Sequence, residues 1–402
     1  MPRVAVIGDS HFDESSRFEE CIHVHNWIAD DIEARGVDLV LHSGDIFERK
    51  STPLERQAVA AWIRRVTEHA PLIIVRGNHD ALHDLSIFAK LETRHPVVVE
   101  EAAGVYVLGN VVVGCMAWPT KASALAMGTQ SHAEGELLAG EALRNVLRGM
   151  GEQLAEFAND GQPRDPTKFR KYPVVLLGHV MVRGSVTSTG QPLVGCDLEL
   201  GVEDLALAGA DFYALGHIHK SQSWTRDGDV PFVYPGSPRR TAFGEVEEKG
   251  YLIVDFDDFT HRPTWSLIPT PCAPMLMVNA QWHAEHVGLP GDVIVPAGLH
   301  FDEPPEVVTG AEIRLRYHVD ADHRDAAKAA AEAWKRSVLD AGALACKVEE
   351  TVRSVNTARA PEVARALTLK EKLRAYWAAR GTTPDEDRAE KLFDKVHELE
   401  VA

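Results

Sequence analysis

Short apolar runs, each closed by a polar or glycine-containing turn, punctuate the chain up to about Asp258: Val4–Ile7, Leu39–His42, Leu72–Val75, Val174–Leu177 and Phe212–Leu215. Runs of this length between turn signals predict buried strands. Ser16–Ala34 and Pro53–His69 predict helices instead. The second opens on Thr52-Pro53-Leu54-Glu55, a capping box with proline at the first helical position. Strands alternating with helices predict an α/β fold. Val97–Val99, Val105–Leu108 and Val111–Cys115 follow one another without room for helices, so the expected core is two-sheet or mixed-sheet and layered, flanked by helices.

Pro119–Pro173 reads as an insertion with a helix over about Glu134–Ala158 and a loop at Asn159–Pro163, either a lid or a passive excursion. Prolines 263, 269, 271 and 274 follow the strand Tyr251–Phe256 and suggest a boundary, giving a first domain over 1–260. Ile313–Val319, Arg324–Ala341 and Cys346–Val352 predict a small second α/β domain over 275–355. A tail over 361–402 follows. Thr368-Leu-Lys-Glu371 caps a helix with Leu369, Leu373, Tyr376 and Trp377 on one face, and Gly381 stops it. Thr383-Pro384-Asp385-Glu386 is expected to cap a last helix carrying Ala389, Leu392, Phe393, Val396 and Leu399. Such faces either fold back on the second domain or dock on a partner.

The net charge of −18, from 42 Lys and Arg against 60 Asp and Glu, argues against non-specific nucleic-acid binding. A metal site escapes part of that objection, because the ions carry positive charge to the phosphate. Arg49, Lys50, Arg183, Lys220, Arg239 and Arg240 are either ordinary surface charges or a basic rim around an anion-binding, DNA-contacting cleft. Five scattered cysteines without a CxxC pair fit a reducing cytoplasm. The opening residues lack a signal-peptide layout, and no apolar stretch is long enough to span a bilayer, so a cytoplasmic protein without membrane contact is expected.

Five motifs close predicted strands: Asp9-Ser10-His11, Gly44-Asp45, Gly77-Asn78-His79-Asp80, Gly178-His179 and Gly216-His217-Ile218-His219. Each alone is a weak signal, although Asn78-His79-Asp80 has no packing reason to follow an apolar strand and His217/His219 are spaced to serve two adjacent ions; together, after the same kind of element, they point to one ligand site. Carboxylates, an amide and imidazoles without thiolates suit divalent ions such as Mn, Fe or Zn, but not a structural zinc site. So many donors exceed what one ion needs. Two ions about 3.5–4 Å apart would share them, with Asp45 the candidate bridge, and would acidify water for phosphoryl hydrolysis.

These residues resemble the signature of calcineurin-like metallophosphoesterases. A narrower resemblance follows. Tyr213-Ala-Leu-Gly-His-Ile-His-Lys220, Tyr234-Pro-Gly-Ser-Pro238, Phe243-Gly-Glu245 and Lys249-Gly-Tyr251 are similar to the SbcD family, the nuclease subunits of DNA end-processing complexes. The likeness covers the first 258 residues well and the second domain only in outline. It implies an Mn²⁺-dependent double-strand exonuclease and single-strand endonuclease with a capping domain. Asp9, His11, Asp45 and His219 would surround one ion, and Asp45, Asn78, His179 and His217 the other. His79 would be a catalytic non-ligand histidine, oriented by Asp80. The resemblance also implies a homodimer through Pro53–His69 (Ala58, Trp62, Ile63, Val66) and a helix over Leu82–Leu91 (Leu85, Phe88). The tail helices would dock on the coiled coil of an SbcC-type ATPase. One departure stands out: where eukaryotic and archaeal relatives have a histidine three residues after the bridging aspartate, this chain has Glu48. His23, His25, His42 and His83 have no motif support. Two other functions remain open at this level, a phosphoesterase for small phosphodiesters or phosphoproteins and a non-catalytic scaffold for an ATPase.

Overall fold

The computed structural model describes residues 1–119, 132–160, 170–188, 198–226, 229–283, 298–353, 363, 365–382 and 384–401. Parts of the 119–173 insertion, and Thr383, lie outside them. The chain divides into two compact units, one of Met1–Met277 with Pro305–Arg314 and Gly342–Cys346, the other of Val278–Pro304, Leu315–Ala341 and Lys347–Ala402.

The first unit contains strands β1 (Arg3–Ile7), β2 (Leu39–His42), β3 (Leu72–Val75), β4 (Val97–Glu100), β5 (Ala103–Leu108), β6 (Val111–Met116), β7 (Val174–His179), β8 (Met181–Val182), β9 (Glu199–Leu200), β10 (Phe212–Gly216), β11 (Gln222–Arg226), β12 (Val230–Tyr234), β13 (Gly250–Phe256) and β14 (Pro263–Pro269). Its helices are α1 (Phe18–Arg35), α2 (Pro53–Thr67), α3 (His132–Ala158) and the short α4 (Val202–Leu205). Two six-stranded sheets form, ordered β14-β13-β1-β2-β3-β4 and β11-β12-β10-β7-β6-β5. β1 to β4 run parallel, as do β6, β7, β10 and β12, while β5, β11, β13 and β14 pair antiparallel at the margins. The core is therefore two packed mixed sheets.

Strand alternation builds the layers. Val4, Val6, Leu39 and Leu41 meet Val113, Val175, Leu177 and Ala214 between the sheets. Ala5, Ile7, Val40 and Ile74 turn the other way, onto Val24, Ile28 and Ile32 of α1 and Val59, Trp62, Ile63 and Val66 of α2. Val112, Leu176 and Leu215 pack against Leu147, Met150 and Leu154 of α3. The capping box of α2 is formed as predicted.

Three expectations are corrected. β14 occupies the start of the proline-rich stretch where a domain boundary is expected. As an edge strand it tolerates Pro263 and Pro269 at its ends, which carries the first unit past residue 260. Leu82–Leu91 is not a helix but turns ending in the 3₁₀ turn Phe88–Lys90. His83 is left-handed (φ 66°) and its N–H is drawn to Glu101, which breaks a helical register. Trp62, Ile63, Val66, Leu85 and Phe88 lie in the core against the first sheet, so they are not available to a second copy.

The second unit centres on a sheet ordered β16-β15-β17-β18, from β15 (Met275–Trp282), β16 (Leu299–Phe301), β17 (Glu312–Asp320) and β18 (Ala345–Arg353). Helix α5 (Arg324–Asp340) buries Ala327, Ala331, Trp334 and Val338, a stripe at helical spacing, with Trp334 against Phe301. α6 (Leu369–Arg380) has the predicted Thr368–Glu371 box and ends at left-handed Gly381. α7 (Glu386–Val401) is capped by Asp385, whose carboxylate accepts from Arg388 N–H at 2.9 Å. The cap thus comes from the expected Thr383–Glu386 run, through Asp385. Trp377 and Phe393 join the two helices, while Leu369, Tyr376 and Leu392 stay exposed.

Candidate metal centre

The five motifs lie at the C-terminal ends of β1, β2, β3, β7 and β10, where α/β sheets leave loops free to carry ligands. Asp9, His11 and Asp45 all take positive φ (47°, 48° and 53°), beside Gly44 at 101°. Non-glycine residues adopt this region only when their surroundings force it. Here backbone bonds do so: Asp9 N–H donates to Gly44 O, His11 N–H to Asp45 O and Phe12 N–H to Ile46 O. The two loops are laced together, with their side chains turned into one hollow. Gly77 is needed for the close approach, since a Cβ there would lie 2.1 Å from Asp45 Oδ1.

The candidate ligands gather in two groups, Asp9, His11 and His219, and Asp45, His179 and His217, each with one donor atom per residue within 4.8 Å of the others. Asn78 Oδ1 joins the second group, 2.9 Å from both His179 Nε2 and His217 Nδ1. Asp45 Oδ2 faces both, 3.3 Å from His179 Nε2 and 3.8 Å from His11 Nε2. Its Oδ1 accepts from His79 N–H. Asp9 Oδ1 accepts from His217 N–H, while Asp9 Oδ2 and His11 Nε2 are buried without a hydrogen-bond partner. Orphaned buried acceptors are costly unless a cation satisfies them. His179 Nδ1–H is held by Ser43 O at 2.7 Å, which leaves Nε2 for a ligand. The donor set fits two divalent ions sharing Asp45.

Without ions, the charged groups of the site lean on one another. Burial opposes ionisation of Asp45, yet His179 and His11 hold its carboxyl well below the usual range. Burial likewise opposes charge on His179, but Asp45 raises it to about 9. Burial, then His179, pushes His217 down to about 3. Burial lowers His11, against the pull of Glu48.

His79 donates its Nδ1–H to Glu48 O (2.8 Å) and stands partly exposed beside His11, their rings 5.0 Å apart. Asp80 does not orient it. The Asp80 carboxylate accepts from Phe47 N–H and Gly77 N–H, both at 2.9 Å, and so clamps the third motif to the second. Burial, then the charge of Asp45, raises Asp80 to about 6. Glu48 takes the orienting place: its backbone oxygen holds His79 and its carboxylate holds His11 Nδ1 at 2.7 Å.

The six basic residues separate. Arg49, Lys50 and Arg183 are exposed, Arg49 against Asp13 and Arg183 against Glu203, and Lys220 is half-buried. Arg239 is buried and donates to His11 O. Arg240 is spent on Glu245 O, Glu247 O and Cys272 Sγ. Those two brace the site from within and are not a rim.

Sequence reasoning missed several neighbours. Trp118 lies against His217 and His179, with ring centroids 4.7 and 5.7 Å away. Beneath Asp9 and His11 runs a buried chain with a single consistent proton order. Gly44 N–H donates to His42 Nδ1, His42 Nε2–H to Ser10 Oγ, Ser10 O–H to His25 Nε2, and His25 Nδ1–H to Cys21 O. Burial drives His25 to about 3 and His42 well below the ordinary 6.5. The unfolded chain therefore takes up protons that the fold refuses. Stability from these groups is full above pH 6.5 and falls as pH drops toward their folded values. For metal-free protein, each should contribute a slope approaching about 1.4 kcal/mol per pH unit below that point. Urea unfolding across pH 5.5–6.5 checks this: His25→Asn should flatten the slope, and an unchanged slope would exclude His25.

The calcineurin-like phosphoesterase superfamily domain model matches residues 3–258. The chain belongs to that superfamily. Among solved structures it is similar to GAP50, the anchor in the inner membrane complex of Plasmodium, at 13% identity and TM-score 0.41, over 67% of this chain and 84% of that one. It is also similar to a dimetal phosphatase from Danio rerio, at 9% identity and TM-score 0.40, over 66% of this chain and 98% of that one. The superfamily is a class of metal-dependent hydrolases, in keeping with the paired ligand groups. Among the described residues no helix is long and apolar enough to cross a membrane.

Proposed function

We propose that this phosphoesterase is the Mn²⁺-dependent nuclease subunit of an SbcC–SbcD-type complex that trims DNA ends. The observation carrying this reading is the position of Tyr234-Pro-Gly-Ser-Pro238, the run that distinguishes the SbcD family from other phosphoesterases. Ser237 N–H donates to His219 O, and a Cβ at Gly236 would meet His219 O at 2.7 Å, so only glycine (φ 79°) fits there. Tyr234 Oη donates to Val180 O and accepts from Val182 N–H, tying the run to the segment after His179. The run thus packs against the segments that carry His179 and His219, which supports the reading.

Bound divalent ions supply positive charge against the phosphoryl oxygens and acidify water. Asp9, His11, Asp45 and His219 would hold one ion, and Asp45, Asn78, His179 and His217 the other. His79, anchored at Nδ1, keeps Nε2 free to meet the leaving oxygen. Lys220, Arg49, Lys50 and Arg183 are the cations left to meet a DNA backbone.

Exposed Leu369, Tyr376 and Leu392 suit docking of the tail on the coiled coil of a partner ATPase. For a homodimer, we place the contact on exposed Leu54, Leu82 and Ile87, whose segments are joined by Ser51 hydrogen bonds to Asp84. The decisive test offers Mn²⁺-loaded protein a labelled duplex with one blocked end and, separately, an aryl phosphodiester. Cleavage from the open end is expected. Aryl turnover with intact DNA, with or without the cognate ATPase, would return the protein to the small-phosphodiester class.

A further inference from the structure

Among the ligand histidines, His219 alone is backed by a buried pair of opposite charges. Its Nδ1 lies 3.0 Å from Thr241 Oγ1 and 3.6 Å from Glu245 Oε1. The Thr241 hydroxyl donates to Glu245 Oε1 at 3.0 Å, so Thr241 Oγ1 is free to accept from His219 Nδ1–H. One proton order results: imidazole to hydroxyl to carboxylate. The other carboxylate oxygen accepts from Thr241 N–H and from Lys249 Nζ, both at 3.0 Å. Lys249 Nζ also reaches His219 O at 2.9 Å and Glu247 Oε1 at 2.7 Å. Glu245 and Lys249 are 5% and 2% exposed. Burying such a pair adds little net stability, because desolvation offsets the attraction. What the arrangement does secure is geometry: the proton is fixed on Nδ1, the lone pair on Nε2, and backbone and ring of His219 are held from the same lysine and carboxylate.

We infer that Glu245 is a positioning residue for His219, acting through the Thr241 hydroxyl, and that this relay sets the affinity of the ion shared by Asp9, His11 and His219. The inference rests on His219 being a ligand, and it assigns a role to the Phe243-Gly-Glu245 and Lys249-Gly-Tyr251 motifs. His179 is held differently, by the neutral carbonyl of Ser43, so the second ion does not depend on the relay.

The test is calorimetric titration of metal-free full-length protein with Mn²⁺, read as ions per chain and affinity per site, alongside thermal melting to confirm the fold. Wild type should bind two ions. Thr241→Val, close in shape but lacking the hydroxyl, and Glu245→Gln should keep one site intact and weaken the other roughly 10–100-fold. Thr241→Ser, which restores the hydroxyl, should restore both. Wild-type binding by Thr241→Val, or equal loss in Thr241→Ser and Thr241→Val, overturns the relay while leaving the metal centre standing. If wild type takes up no Mn²⁺, the metal-centre reading fails and the inference falls with it.

Discussion

Asp45→Asn should deplete the paired site and lower phosphodiester cleavage by roughly 10³-fold or more, several kcal/mol of lost charge stabilisation. The reason is its place between the groups. Oδ2 faces His11 on one side and His179 on the other, and Oδ1 is fixed by His79 N–H. An amide retains the shape and the bond to His79, but it has no charge to divide between two cations. Metal analysis of purified protein should show fewer than two ions per chain, and phosphoesterase activity should fall with it. A variant that retains both ions and cleaves at the wild-type rate would remove Asp45 from the bridging role. Among the ligands this effect should be the largest, because each of the others serves one ion.

The candidate ligands are legible because each sits where a strand stops and a turn begins, so a local reading finds it. The lacing between them is not. Glu48 meets His11 and His79 only because the turn after Asp45 folds across both motifs. Trp118 and Thr241 come from segments far along the chain that nothing nearby marks, while Glu245 and Lys249 fall in motifs whose sequence does not say what they touch. Arg239 and Arg240 misled for the same reason. A guanidinium in a polar stretch reads as surface until a carbonyl such as His11 O is found to claim it. His25 and His42, which no motif marks as ligands, act as supports, joined through Ser10, whose neighbours Asp9 and His11 are both candidate ligands. In the fold, patterning recovered the strands with clean apolar runs. It missed β14, where prolines at an edge strand's ends imitate a linker, and it overextended Leu82–Leu91, where apolar spacing fits a helix but left-handed His83 prevents one.

His79→Ala should separate chemistry from metal binding. On the proposed nuclease function, cleavage of an end-labelled duplex should fall by roughly 10²–10⁴-fold, the range for loss of a positioned acid–base group, while the metal content stays at the wild-type value. The separation follows from geometry. The side chain is anchored by one bond from Nδ1 to Glu48 O, and its ring stands partly exposed at the rim instead of inside either ligand group. The contact to Asp45 is made by the backbone N–H of His79, which alanine retains. One alternative is also present in the structure, since His11, Glu48 and His79 lie close enough to hold an ion among them. If that cluster is occupied in the working protein, His79→Ala will lose metal along with activity, and the acid–base role fails. Glu48→Gln sharpens the contrast. It keeps the backbone carbonyl that orients His79 but weakens the carboxylate that holds His11, so it should reduce metal affinity more than His79→Ala does.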